Sequence, residues 1–96
     1  MRFEKNNQNN KQNNWKYSAT LSFPIYSKKA PDGVYFDQWK SPAHREAVET
    51  LEVYLKSRAV GNWQRRANVI YMQDLEDIFN VRLFFNDIID VIRQST

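Results

Sequence analysis

Three cations, two amides and a ring recur where an extended chain would turn them to one side: Lys16, Arg66 and Arg82, with Asn68, Asn80 and Phe84. If residues 15–26, 62–72 and 78–85 are strands of one sheet, alternation gathers these side chains on a single face. That set has a definite chemistry. Lysine and arginine neutralise phosphates, asparagine bonds base edges or sugars, and a ring stacks on an unpaired base. Tyr26 and Tyr35 would stand at the rim of the same surface. The expectation is a small binding protein for nucleic acid, single-stranded rather than duplex.

The same face carries a competing pattern. Ile70, Met72, Ile78 and Phe84 would form an apolar patch rimmed by charge, which is how protein interfaces are built. The alternative is therefore an adaptor or inhibitor of a larger protein partner, or a homodimer through that sheet face. The run Trp63-Gln64-Arg65-Arg66 also has two readings. It is either a stacking-plus-phosphate cluster, or a tryptophan under a helix with Arg65 paired to a carboxylate.

Enzymatic chemistry has little to work with. There is no cysteine, and His44 is the only histidine. It falls on the same helical stripe as Val48 and Leu51, where a packed imidazole is expected. A zinc site would have to be built almost wholly from carboxylates, which zinc rarely uses. Asp74, Glu76 and Asp77 lack the glycine and ligand spacing of a calcium loop. With only Gly33 and Gly61, the chain has neither a phosphate-cradling loop nor a nucleophile elbow. A metal-free ribonuclease using His44, arginines and a tyrosine is the one enzymatic option left open. The expectation is a non-enzymatic protein with no cofactor and no metal.

Charge is segregated along the chain. Residues 1–31 sum to +5, residues 32–52 to −3, residues 53–72 to +4 with no acid, and residues 73–96 to −3. A bipolar surface follows, with a basic side suited to a polyanion. No apolar run approaches the roughly 18 residues of a membrane span. The first 14 residues lack the apolar stretch of a secretory signal. A cytoplasmic location away from membranes is the expectation, in keeping with the absence of cysteine.

Positioning these side chains requires a sheet and helices to back it. Residues 1–14, Asn-rich and weakly basic, read as a disordered tail, and residues 15–96 as one domain. "WKYSATLSFPIY" (15–26) alternates as a strand with Trp15, Tyr17, Ala19, Leu21, Phe23 and Ile25 on the core side. Pro31-Asp32-Gly33 marks a turn, after which 34–39 returns as a short strand. Ser41 and Pro42 open an amphipathic helix that runs towards Gly61. In 62–72, Trp63, Ala67, Val69 and Tyr71 are expected on the core face. Residues 75–92 scatter their apolar side chains around a helical wheel, so they divide into a strand over 78–85 and a short helix from Asp87. The predicted fold is α+β, order β(β)αββα, with an antiparallel-rich sheet and two helices on one face. By element order it approximates a ferredoxin-like split βαβ unit.

Overall fold

The computed structural model describes residues 2–6 and 15–95. Its elements are β1 (Arg2–Asn6), β2 (Tyr17–Leu21), β3 (Ile25–Lys29), β4 (Tyr35–Trp39), α1 (Pro42–Arg58), β5 (Trp63–Arg66), β6 (Val69–Met72), α2 (Leu75–Phe84), a 3-10 turn at Asn86–Ile88, and β7 (Ile89–Ser95). Five strands form one sheet in the order β1-β7-β2-β6-β5, and β3 and β4 pair separately. The fold is α+β, as the pattern predicts. Without β1 and the β3–β4 hairpin, the core runs β2-α1-β5-β6-α2-β7, with β2 antiparallel to both β6 and β7. That order approximates the ferredoxin-like split βαβ arrangement, with a hairpin inserted before the first helix and an extra strand parallel to β7.

Local chemistry explains most boundaries. Pro24 offers no N–H to a ladder, and the 15–26 run divides around it into β2 and β3. Gly33 adopts φ +90, a conformation that L side chains rarely take. Its N–H donates to Ala30 O at 2.9 Å, and Val34 N–H donates to Asp32 Oδ1 at 3.1 Å, closing the β3–β4 hairpin. The Ser41 hydroxyl accepts from His44 N–H at 3.2 Å and caps α1. That helix ends at Ala59, whose N–H reaches Leu55 O, two residues before Gly61.

Both helices cover one side of the sheet. Val48, Leu51 and Leu55 of α1, with Ile78 and Val81 of α2, pack in one cluster with Tyr17, Ala19, Leu21, Ile70, Met72 and Ile92. Phe23 and Ile25 extend this core towards the hairpin.

Three expectations are corrected. Residues 78–85 are not a strand: 75–84 form α2. The Asp74 carboxylate accepts from Glu76 N–H at 2.9 Å as an N-cap, while Glu76 and Asp77 in the first turn and Arg82 in the last complement the helix dipole. The apolar stripe is obscured because Leu75, Phe79, Leu83 and Phe84 face solvent. Nor are residues 87–92 a helix: Ile89–Ser95 form β7, which lies between β1 and β2. An interior strand can bury both faces: Val91 and Ile92, successive residues on opposite faces, are each only 1% exposed, and that breaks the two-residue alternation. Finally, residues 2–6, assigned to the tail, pair along β7 from Arg2↔Val91 to Asn6↔Ser95. Pairing at a sheet edge needs only backbone donors and acceptors, which a polar sequence supplies as well as any other. Residues 7–14 of that tail lie outside the described residues.

A buried carboxylate ties the two halves of the core. Asp77, 2% exposed, accepts Val60 N–H at 2.8 Å and Gly61 N–H at 2.9 Å, fixing the loop between α1 and β5 onto α2. A Cβ on Gly61 would come within 3.0 Å of Asp74 Cβ, so the loop packs closely on the start of that helix. Asp77→Ala strands two backbone donors beside a cavity. A loss of about 2–4 kcal/mol is expected, read as a lower urea midpoint at unchanged slope.

Candidate functional site

Which side chains share a face depends on the β5–β6 turn. Residues 62–72 are not one strand: β5 and β6 pair as Trp63↔Met72, Gln64↔Tyr71, Arg65↔Ile70 and Arg66↔Val69 around Ala67 and Asn68. Ala67 takes φ 50, the left-handed region that such a two-residue turn demands, at a strain cost for a residue with a Cβ. The reversal exchanges the faces assigned to β6. Ile70 and Met72, expected on the outer side, are fully buried, while Val69 and Tyr71, expected in the core, face away from the helices.

The face opposite the helices is therefore a different set. Across β7, β2, β6 and β5, one row reads Arg93, Ser18, Tyr71, Gln64 and the next Val91, Thr20, Val69, Arg66. Strands about 4.8 Å apart make each row roughly 14 Å wide. None of these paired positions holds a carboxylate. Trp15, expected in the core, has its ring centroid 6.3 Å from that of Tyr71, so two aromatic rings stand together at the start of β2. The neighbouring Lys16 is exposed, as is Arg66, and Arg93 Nη1 donates to Thr20 Oγ1 at 3.5 Å.

Of the residues proposed for nucleic acid, Arg66 lies on this face, and Lys16 is exposed just ahead of β2, beside Trp15. Asn68 lies in the β5–β6 turn, where its carbonyl accepts Leu21 N–H at 2.8 Å. Asn80, Arg82 and Phe84 are on α2, behind the sheet, because that segment is helical. Phe84 there lies edge-on to Tyr54 with centroids 5.8 Å apart. Of the alternative protein interface, Ile70, Met72 and Ile78 are core residues and only Phe84 is exposed. The residues missed by alternation are Tyr71, Trp15 and Arg93, whereas Gln64, on the parity of Arg66, is where alternation puts it. The available signal was Asn68, a turn former in the middle of a run twice the usual strand length.

Arg65, one residue from Arg66, points the other way and organises the hairpin. Its Nη2 donates to Asp37 Oδ2 at 2.5 Å, its Nε to Glu52 Oε1, and its Nη1 to Ala67 O at 2.8 Å. The guanidinium also lies over the Trp39 ring, 5.6 Å from the centroid. Burial alone would lower the Arg65 pKa, but hydrogen bonds and charge from Asp37 and Glu52 outweigh it and raise it above the ordinary value. It stays charged at any pH where the fold survives. Trp63 packs against the core beside it. Of the two readings of the Trp63–Arg66 run, the scaffold role fits Trp63 and Arg65.

A groove of about 760 Å³ separates the β3–β4 hairpin from the β5–β6 turn, with Tyr35, Phe36 and Asp37 on one side and Arg65, Arg66 and Ala67 on the other. His44 stacks flat on Phe23 with centroids 4.1 Å apart, the packed position expected of it. Among the described residues, no cluster of three or more His, Cys, Asp or Glu side chains is placed to hold a metal ion. No described helix is long and apolar enough to cross a membrane. Comparisons with protein-family models, curated proteins and solved structures each return no match to this chain.

Arg65→Met removes the tie between hairpin, α1 and turn and leaves Asp37 facing Glu52. About 3 kcal/mol of stability should be lost. Hydrogen exchange should locate the effect, with the amides of 25–39 losing more protection than those of β2 and β6.

Proposed function

We propose that this chain is a small, non-enzymatic cytoplasmic protein that binds single-stranded nucleic acid on the helix-free face of its sheet. The observation that carries the reading is the pairing of Tyr71 with Trp15 on a face that also presents Arg66 and, hydrogen-bonded to Thr20, Arg93. Tyr71 stands on β6, one of the two middle strands of the β7-β2-β6-β5 set. Sheets of the RNA-recognition-motif kind stack unpaired bases on aromatics of those strands. Here β2 contributes Ser18 and Thr20 instead, and Trp15 supplies the second ring. Gln64, Ser18 and Thr20 offer donors and acceptors to base edges or sugars, while Lys16 and Arg66 meet phosphates. A flat face with no projecting helix favours an unstacked strand over a duplex groove.

A second reading, a protein contact, is favoured by a different surface. Leu75, Phe79 and Leu83 recur every four residues along α2 and are half-exposed or more. Self-association through this stripe would give a solution mass that rises with concentration and that Phe79→Asp holds at the monomer value.

Titrating labelled single-stranded and duplex oligonucleotides at about 50 and about 200 mM salt tests the main reading. Two or three phosphate contacts to a single strand should weaken binding about 7- to 20-fold over that range. Tyr71→Ala should cost about 1–3 kcal/mol, the usual worth of a stacked base, with Arg66→Ala reducing the salt slope. Absence of single-strand binding at the lower salt would sink the proposal.

A further inference from the structure

The groove between the β3–β4 hairpin and the β5–β6 turn adjoins the open face, because Arg66 belongs to both. Its side chain is on the outer side of β5, opposite Val69, and it also lines the groove. We propose that this groove receives an unpaired nucleobase from the same strand that lies across the sheet, which rests on the single-strand reading above.

Electrostatics decide what the groove accepts. Arg65 is the cation at its floor, but Asp37 and Glu52 already engage that guanidinium. The floor therefore carries no surplus positive charge and has little to draw an anion inward. Two exposed aromatic residues line its outer side, Tyr35 at 67% on the Asp37 side of β4 and Phe36 at 50% from the next position of the strand. A neutral, planar ligand suits such walls, and a phosphate suits the rim, where Arg66 is exposed and has no ion-pair partner among the described residues. A nucleotide combines the two. The Ser27 hydroxyl lines the same space, and the Asp37 oxygens keep lone pairs beyond those used by Arg65, so the base edge finds both a donor and acceptors. The volume of about 760 Å³ falls within the roughly 300–1,000 Å³ of small-ligand clefts.

The consequence is a second stacking point off the sheet, reached only by a strand long enough to pass Arg66. Two oligonucleotides test it, one of about 4 nucleotides and one of about 8, with dissociation constants from fluorescence anisotropy. The wild-type chain should bind the longer one about five-fold tighter or better, the least a stacked base contributes. Tyr35→Ala with Phe36→Ala should erase that gain and leave the short oligonucleotide's affinity unchanged. Tyr35→Leu with Phe36→Leu, which keeps apolar bulk and removes the ring faces, should do the same. Both pairs lie on exposed positions, and an unchanged melting temperature confirms the fold. If both oligonucleotides bind and the gain survives both double variants, the groove is not a base site and the sheet reading stands. If neither oligonucleotide binds the wild type, the sheet reading fails and takes this one with it.

Discussion

The guanidinium of Arg65 joins three separate parts of the chain. Through Asp37 it holds the β3–β4 hairpin, through Glu52 the middle of α1, and through Ala67 O the turn between β5 and β6. The hairpin forms its own two-stranded sheet, and an isolated hairpin is marginal in water. Its base is set in the core by Ile25 and Trp39, but further out Asp37 is the link to the main sheet that the geometry displays. An arginine suits this place better than a lysine. Its planar fork donates in several directions at once, and its face stacks on Trp39. The same contact draws the Ala67 carbonyl inward and so supports a turn that places a Cβ-bearing residue at positive φ.

A second constraint comes from position in the sheet. β7 has neighbours on both sides, β1 and β2, and buries Val91 on one face and Ile92 on the other. β6 also lies between two strands, yet it buries only the side under the helices. There Ile70 and Met72 are fully covered, while Val69 and Tyr71 are half-exposed. The outer face is thus apolar near β7 and wetter towards β5, where Gln64 and Arg66 stand. Both helices and the core cluster lie behind it. A ligand on this side would meet rings and polar groups on a rigid backing.

Much of the fold was legible in the residues, for identifiable reasons. The alternation of 17–21, the Pro31-Asp32-Gly33 turn and the Ser41-Pro42 helix start each depend on local chemistry, and each stands. The failures are those where local pattern is ambiguous. A strand buried on both faces breaks the two-residue alternation, so 89–95 resembled part of a helix. A helix with Leu75, Phe79 and Leu83 in solvent has no clean stripe, so 75–84 resembled a strand, although Asp74 as cap and Arg82 in the last turn were there to be read. The site suffered more than the fold. Its membership depends on parity, which the unrecognised turn reverses for 69–72, and on element type, which puts Asn80, Arg82 and Phe84 on a helix behind the sheet.

Strand parity also separates two adjacent arginines. Arg65 and Arg66 are indistinguishable by composition, and both belong to the acid-free block 53–72. Strand alternation sends Arg65 to the helix side, where two carboxylates and a tryptophan absorb its charge into the scaffold. It sends Arg66 to the outer side, opposite Val69, with its charge directed to solvent. Net charge along the chain therefore overstates the cation available to a ligand, since part of it is consumed by holding the hairpin in place. On the outer face Arg66 is a cation so available, near the ring pair of Trp15 and Tyr71. A surface with few cations and a prominent aromatic pair derives more of any affinity from stacking than from phosphate contact, and its binding would be correspondingly tolerant of salt.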